Sequence, residues 1–150
     1  MKTRFAGRED IPQLLNLYRH LNPDDQAMPV EDGVRNLELL ERYPGSHIVV
    51  GCVDEAIVAT CTLVVIPNLT RGGVPYALIE NVVTDPEYRN RGYGKAVLGC
   101  ATEAAWGAGC YKVMLLTGSK QAAVLKFYQG AGFEQSKTGF QMRRLPVRAE

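Results

Sequence analysis

The apolar residues change their spacing between residues 76 and 108, and this change limits the folds that the chain can adopt. Residues 76–84, "YALIENVVT", are mostly apolar and rich in β-branched side chains, which is typical of a buried β-strand. After a turn that contains Pro86, apolar side chains recur at helical spacing, at Val97, Leu98, Ala101, Ala104, Ala105 and Ala108. The stretch therefore predicts a strand that leads through a short loop into a helix.

A second strand is expected after this helix, at residues 112–117. It should lie parallel to residues 76–84, because a whole helix separates the two strands. Upstream, residues 48–53 and residues 56–66 are rich in β-branched side chains and are separated by a polar pair, which predicts a hairpin. These strands predict an α+β fold around a mixed sheet that is mostly antiparallel and contains one parallel pair.

About four helices should flank this sheet. Asp10 is expected to cap a helix over residues 11–21, and Pro29 stands at the first turn of a second helix that a Tyr-Pro-Gly sequence closes. The third helix begins near Gly92, and residues 121–129 predict the fourth.

Two strands are also expected near the ends of the chain. Residues 2–6 predict a short edge strand. The tail alternates apolar and polar side chains at residues 133–134 and again at residues 140–144, which predicts a last antiparallel pair.

The size and charge of the chain limit its organisation and partners. With 150 residues, 46% of them hydrophobic, the chain is expected to form a single domain over residues 1–150. A formal net charge of +1 gives no sign of nucleic acid or an anionic membrane as a partner. The longest apolar runs are shorter than the ~20 residues of a membrane-spanning helix, and residues 1–10 lack the apolar core of a secretory signal. We therefore expect a cytoplasmic protein.

No metal site is expected. The four cysteines, Cys52, Cys61, Cys100 and Cys110, form no Cys-x-x-Cys pair, and the chain contains only two histidines. Buried free thiols are the simpler interpretation.

The loop between residues 84 and 95, which contains Gly92-Tyr-Gly94, indicates an anion-binding site. A helix start leaves several backbone N–H groups without an acceptor, and glycines let a phosphate approach the main chain. Arg89, Arg91 and Lys95 add positive charge beside the helix dipole. The alternative is a glycine-rich helix start with solvated cations.

Two other phosphate-binding loops fit poorly. A Walker loop requires a hydroxyl residue after Gly-Lys, whereas Ala96 follows Lys95 here. A dinucleotide-binding fingerprint requires a small residue at position 97, whereas this chain has Val97. It also requires a β–α–β unit early in the chain, which the predicted order of elements lacks.

Arg89-x-x-Gly92-x-Gly94 matches the Arg/Gln-x-x-Gly-x-Gly/Ala signature of the GCN5-related N-acetyltransferase (GNAT) family. Residues 124–133, "VLKFYQGAGF", resemble the closing motif of that family, and the order of elements is similar over nearly the whole chain. Among the branches of the family, the C-terminal half is similar to glucosamine-6-phosphate N-acetyltransferase. Asn81 replaces the aspartate that this branch has after the strand glutamate.

The resemblance implies a GNAT fold and acetyl-CoA as cosubstrate. It places the pyrophosphate on the loop and the pantetheine arm along the strand before the loop, where it pairs as an added strand. The implied cofactor-binding residues are Val82, Val83, Thr84, Arg89, Asn90, Arg91, Gly92, Tyr93, Gly94 and Lys95.

Glu80 and Tyr128 are the candidate catalytic residues. A carboxylate in a strand buried on both faces is costly unless it is used, and burial makes a carboxylate a stronger base, so Glu80 is the candidate general base. A structural Glu80, paired or exposed at a strand bulge, is the alternative. Tyr128 matches the family tyrosine near the CoA sulfur and is the candidate acid, while a half-buried structural tyrosine is the alternative.

The acceptor is expected to be a primary amine of a small molecule. The alternatives are a protein lysine or N-terminal amine, an amino sugar phosphate, or no acceptor at all in a non-catalytic acyl-CoA-binding module. A peptide acceptor predicts exposed backbone between the first two helices, and a small amine predicts a closed pocket. A homodimer through the C-terminal strands is a further possibility that the resemblance raises.

Overall fold

The computed structural model describes residues 1–145, and the chain divides into two compact units, Met1–Thr117 and the segment that begins at Gly118. The elements of the first unit are β1 (Lys2–Phe5), α1 (Ile11–Leu17), α2 (Val30–Glu41), β2 (His47–Val53), β3 (Ala56–Ile66), β4 (Tyr76–Thr84), α3 (Tyr93–Gly107) and β5 (Val113–Leu115). The second unit contains α4 (Ala122–Gly130). The prediction of one domain over residues 1–150 stays a prediction.

The first unit is built on a five-stranded sheet in the order β1-β2-β3-β4-β5. The pairs from β1 to β4 are antiparallel, and β4 pairs with β5 in parallel. The predicted fold class is therefore confirmed, because the sheet is mixed, contains one parallel pair and is accompanied by four α-helices among the described residues.

Helix α3 covers one face of the sheet. Its residues Val97, Leu98 and Ala101 are fully buried. Cys61 on β3 contacts the backbone of this helix, because its Sγ lies 3.6 Å from the carbonyl oxygen of Val97. From Ala59 to Val65, the odd-numbered residues of β3 therefore face α3, whereas Ile57, beyond a shift in the β2–β3 register, belongs to the cluster on the other face.

Helices α1 and α2 cover part of the opposite face. Leu14, Leu17 and Leu37 form one apolar cluster with residues of the sheet that include Val50 and Val83. Val83, near the C-terminal end of β4, is therefore buried under α1 and α2.

Asp10 precedes α1 as predicted, but its carboxylate acts on the preceding turn. It accepts a hydrogen bond of 2.8 Å from the N–H of Gly7 and two, of 2.6 and 2.9 Å, from the guanidinium of Arg4. Helix α1 has no side-chain cap and ends at Leu17, after which a 3-10 turn, Tyr18–His20, continues the predicted helical segment. Asp10 therefore ties the N-terminal strand to the start of α1.

The predicted antiparallel pair at residues 133–134 and 140–144 is wrong. The described part of the tail, which ends at Leu145, contains no strand, and the side chains of Phe140 and Met142 are 93% and 100% exposed. An alternating pattern produces a stable strand only where one face of it becomes buried. These side chains bury almost nothing.

Candidate active site

Strand β4 contains a β-bulge at Asn81. Thr62 of β3 lies opposite Glu80, whereas Thr60 lies opposite Val83, so β4 has one residue more than β3 over this interval. Asn81 takes up the extra residue with a left-handed φ of 53°, a conformation that asparagine tolerates better than most residues. The bulge bends β4 and changes which way its later side chains point.

Strands β4 and β5 stop pairing directly before this bulge. Their register runs from Ala77 opposite Val113 to Ile79 opposite Leu115, while β4 continues to Thr84. The backbone of β4 at residues 80–84 therefore lies beyond its pairing with β5. The two parallel strands are therefore unpaired at the end of β4 from which the chain leads to α3, and we call this unpaired stretch the gap.

The loop after β4 is ordered by local hydrogen bonds. The carboxylate of Asp85 accepts the N–H of Glu87 at 2.9 Å and so caps a short turn, Pro86–Tyr88. Asn90 and Gly92 then adopt left-handed φ angles of 61° and 83°. The loop thereby reverses direction and leads directly into α3.

The first turn of α3 presents unused backbone donors. The first hydrogen bond of the helix runs from the N–H of Ala96 to the carbonyl of Gly92 at 3.0 Å. The N–H groups of Tyr93, Gly94 and Lys95 precede this bond and have no acceptor within the helix. A Cβ placed on Gly92 would meet no atom within 4 Å, so the space in front of this turn is open. Donors, helix dipole and open space together fit a phosphate group.

The predicted cations surround this turn. Arg89 is exposed, and its Nε lies 3.4 Å from the carbonyl oxygen of Thr84. Arg91 lies over the ring of Tyr88 at 5.6 Å, and Lys95 is exposed on the first turn of α3. The structure thus brings the predicted loop residues together at one end of β4.

The expected burial of Glu80 is wrong, because its side chain is exposed. The sequence predicts a β4 that is buried on both faces. Glu80 lies opposite Thr62, so its side chain projects on the face away from α3. The apolar cluster under α1 and α2 includes Val83 but not Glu80. The carboxylate instead lies at the open edge of the gap. This geometry fits the alternative interpretation of Glu80, an exposed glutamate at a strand bulge.

Tyr18 follows α1 directly and is a neighbour of this site that the sequence pattern does not single out. Its hydroxyl interacts with the hydroxyls of Thr62 and Thr60, and burial raises the pKa of Tyr18. Thr60 in turn donates a hydrogen bond of 2.7 Å to the carbonyl of Val49. Since Thr62 lies opposite Glu80, these hydroxyls form a polar patch beside the carboxylate.

Tyr128 belongs to the second unit and lies on α4. Its side chain is half-buried, and its ring centroid lies 5.0 Å from that of Phe127. Its position in the helix agrees with the predicted helical segment at residues 121–129.

Two cavities lie near α1 and α2, and neither is lined by Glu80. One, of about 270 Å³, lies between α1 and the loop after β4. It is lined by Gln13, Asn16, Leu17, His20, Ala56, Ile57, Val58, Asp85, Glu87 and Tyr88. The other, of about 490 Å³, lies along α2 near Arg8. The segment that joins α1 to α2 is largely exposed.

No set of three or more His, Cys, Asp or Glu side chains in residues 1–145 is arranged to hold a metal ion. None of the helices in that range combines the length and apolar character needed to cross a bilayer.

Comparison with known proteins relates this geometry to a family. Residues 11–133 match the model of the acetyltransferase (GNAT) family. The chain is 34% identical over 135 residues to glucosamine 6-phosphate N-acetyltransferase of Trypanosoma brucei brucei, which covers 89% of this chain and 88% of the relative.

Solved structures show the same fold. A putative acetyltransferase from Agrobacterium tumefaciens is 48% identical with a TM-score of 0.90, and the match covers 96% of this chain and 100% of the other. An aminoglycoside N-acetyltransferase in complex with CoA is 16% identical with a TM-score of 0.75, over 97% and 100% of the two chains. The second likeness concerns the fold alone.

Proposed function

Because the chain belongs to the GNAT family of acetyltransferases, we propose that residues 82–95 hold acetyl-CoA while its acetyl group passes to a primary amine of a small molecule. The chain is an acetyl-CoA-dependent N-acetyltransferase. The observation that carries the proposal is the end of β4–β5 pairing at Ile79 and Leu115, directly beside a helix start with unused N–H groups.

The loop residues would bind the diphosphate of acetyl-CoA. The N–H groups at residues 90–95 are the donors, and the absence of a Cβ at Gly92 and Gly94 lets an anion approach them closely. Arg89, Arg91 and Lys95 add charge, which strengthens these hydrogen bonds.

The open edge of β4 would bind the pantetheine arm. Residues Val82, Val83 and Thr84 lie beyond the β4–β5 register, so their backbone can pair with the amides of the arm as a strand would. Val83 itself is buried, which makes its side chain part of the core even if its amide binds ligand. An N–H of Val82 or Val83 would also polarise the thioester carbonyl.

Glu80 would accept the proton of the amine. Acetyl-CoA supplies the acetyl group as a thioester, whose carbonyl carbon is open to attack by a neutral amine. Glu80 is exposed at the edge of the gap, so it can take the proton directly or through one water. When the C–S bond breaks, Tyr128 would give its proton to the departing thiolate. The products are the acetylated amine and free CoA.

Calorimetry and an acetylation assay test the proposal. Titration with CoA should show binding to the wild type and weaker binding to a variant in which Arg91 and Lys95 are both replaced by Gln. Release of free CoA should be followed with a panel of small amines, amino sugar phosphates and peptides. If CoA does not bind, the assignment of the loop is wrong.

Two substitutions test the catalytic residues. Glu80→Gln should lower the rate most at acidic to neutral pH, where the amine is protonated and needs a base. An unchanged pH–rate profile would remove Glu80 from the mechanism. Tyr128→Phe should lower kcat and leave the KM for acetyl-CoA unchanged, whereas full turnover would remove Tyr128 as the acid.

A protein lysine or N-terminal amine is the second candidate acceptor. The exposed segment between α1 and α2 is the feature that a peptide acceptor requires. Acetylation of peptides but not of small amines in the same panel would favour it. A homodimer stays a prediction, and light scattering after gel filtration would test it.

A further inference from the structure

A row of three hydroxyl groups leads from the core of the sheet towards Glu80. The hydroxyl of Tyr18 is hydrogen-bonded to the side chains of Thr62 and Thr60, and Thr60 donates a hydrogen bond of 2.7 Å to the carbonyl oxygen of Val49. We call Thr62, Tyr18 and Thr60 the hydroxyl chain. Thr60 is 0% exposed, whereas Thr62 is 9% exposed and lies opposite the exposed Glu80. The hydroxyl chain therefore ends beside the candidate base.

The direction of the hydrogen bonds in the hydroxyl chain follows from a count of protons. A hydroxyl has one proton to donate, and a carbonyl oxygen can only accept, so the proton of Thr60 points to Val49. Because Thr60 has no proton left, Tyr18 donates to Thr60. Because Tyr18 then has no proton left, Thr62 donates to Tyr18. All three protons are therefore used inside the hydroxyl chain and at Val49, and none points to Glu80.

Tyr18 is held in place and is neutral, as this arrangement requires. Its side chain packs against the apolar cluster under α1 and α2. Its carbonyl oxygen accepts hydrogen bonds of 3.0 Å from the N–H groups of Leu21 and Asn22. Burial raises the pKa of Tyr18, so the phenol keeps its proton at neutral pH. The direction of the hydroxyl chain is therefore set before a ligand arrives.

Thr62 and Glu80 present two hydrogen-bond acceptors side by side. Residues directly opposite each other on antiparallel strands have Cβ atoms about 5 Å apart. The Oγ of Thr62 keeps its lone pairs, and the residue opposite it on β2 is Ile48, whose side chain offers no donor. No ion pair between residues 1 and 145 involves Glu80. Two adjacent acceptors, one of them charged, favour a cation that carries several N–H donors.

We propose that the Oγ of Thr62 accepts a hydrogen bond from the acceptor nitrogen while Glu80 takes a proton from it, and that Tyr18 is the positioning residue that keeps the proton of Thr62 turned away from this nitrogen. The inference rests on the proposed function for the presence of the amine. A primary ammonium group has three N–H donors, so it can donate to Glu80 and Thr62 together. After one proton has passed to Glu80, the N–H to Thr62 remains and holds the nitrogen while its lone pair attacks the thioester carbon.

The loss of the Thr62 hydroxyl should appear in KM. The hydrogen bond to Thr62 is present in the bound ammonium, in the neutral amine and during the attack, and an interaction of equal strength throughout affects KM and leaves kcat unchanged. Thr62→Val keeps the shape of the side chain and should raise the KM for the amine about tenfold or more, as expected for the loss of a hydrogen bond to a charged group. Thr62→Ser keeps the hydroxyl and should stay within about threefold of the wild type.

The loss of the Tyr18 hydroxyl should act only through Thr62. In Tyr18→Phe the proton of Thr62 is free to turn to the carboxylate of Glu80, where it competes with the amine. The KM for the amine should rise about three- to tenfold, the value of a neutral hydrogen bond. In the double variant, Tyr18→Phe with Thr62→Val, the KM should equal that of Thr62→Val alone, because the two residues are coupled.

The test is a double-mutant cycle on initial rates, which are followed through the release of free CoA. The first probe is glucosamine, and the amine of the panel with the highest kcat/KM replaces it if glucosamine is not acetylated. Tyr43→Phe and Thr3→Val are the matched controls, since Tyr43 is 58% exposed and Thr3 lies on β1 at the far edge of the sheet. Both controls should match the wild type. The KM for acetyl-CoA should stay the same in every variant, which excludes a general distortion of β4.

The possible failures are distinguishable. An unchanged KM for the amine in Thr62→Val would overturn the inference and leave the proposed function intact. A double variant with a higher KM than Thr62→Val would show independent effects and overturn the role of Tyr18. A wild type that acetylates no amine of the panel would refute the proposed function, and the inference with it. If Thr62→Val does not fold, Thr62→Cys takes its place in the cycle, because a thiol is a weak acceptor.

Discussion

Gly92 and Gly99 lie at the start and in the middle of the same helix, and the same substitution at the two positions should have opposite effects on stability. Gly92 has a φ of 83°, whereas Gly99 lies inside α3, is exposed and has no restricting φ. A Cβ at either position meets no atom within 4 Å. Steric clash is therefore absent in both variants, and only backbone conformation distinguishes them.

The magnitudes follow from that distinction. An alanine held in the left-handed region costs about 1–2 kcal/mol, so Gly92→Ala should lower the free energy of unfolding by that amount. An alanine in an exposed helix interior is about 1 kcal/mol better than glycine, so Gly99→Ala should raise the free energy of unfolding. The two variants should differ by about 2–3 kcal/mol.

Urea denaturation at fixed pH measures both values, and equal slopes in the two variants would show that the unfolded states are comparable. Calorimetry with CoA adds a second readout. Gly92→Ala should weaken CoA binding, because its Cβ projects into the open space in front of the N–H groups, and Gly99→Ala should leave binding unchanged. Stability changes of the same sign in both variants would refute the conformational argument. Equal CoA affinities would refute the placement of the diphosphate.

Three further predictions concern other parts of the first unit. Asp10→Asn should lower the free energy of unfolding by about 1–3 kcal/mol, because Arg4 loses its anionic partner. The hydrogen bonds from Arg4 hold the pKa of Asp10 below its usual range. The stabilisation is therefore present above about pH 4 and is lost as the pH falls through the pKa of Asp10 in the folded state. Urea titrations at several pH values should show this dependence in the wild type and not in the variant. Burial raises the pKa of Cys61 to about 12, so this thiol should resist a disulfide reagent at pH 8 in the native protein and react after unfolding, as peptide mass spectrometry can show. Asn81→Val should cost about 1–2 kcal/mol and Asn81→Gly almost nothing, because only the former places a β-branched residue in the left-handed region; equal urea midpoints would contradict this.

The sequence predicted the elements of the sheet well because their patterns are local. The strand at residues 76–84 has the bounds of β4, Tyr76–Thr84, and the parallel β4–β5 pair followed from the helix between them. The helix start at Gly92 was also predicted correctly, because two glycines, a preceding proline turn and a change of period coincide there.

The errors arose where the outcome depends on what covers a surface. Glu80 was expected to be buried because its neighbours in sequence are apolar, but its side chain is exposed and lies outside the apolar cluster under α1 and α2. The tail was expected to form strands because residues 140–144 alternate, yet Phe140 and Met142 find no face to bury against. Whether a strand face becomes covered depends on residues that are distant in sequence, so a local pattern of apolar and polar residues does not predict it.

The bulge at Asn81 lies between these cases. An asparagine inside an otherwise apolar strand is a signal for left-handed backbone. The sequence alone does not say which partner strand loses its register, and only the pairing of Thr62 with Glu80 and of Thr60 with Val83 shows that the extra residue lies on β4.

The edge of β4 beyond Ile79 has a consequence for the lifetime of the protein. Backbone donors and acceptors that β5 leaves unpaired are a template on which a strand from another molecule can add, which is a route to aggregation. A ligand bound along this edge blocks that route, and at 100 times its Kd it would also add about 2.7 kcal/mol to the free energy of unfolding. The supply of acetyl-CoA in the cell would then govern how long the folded protein persists as well as how fast it works.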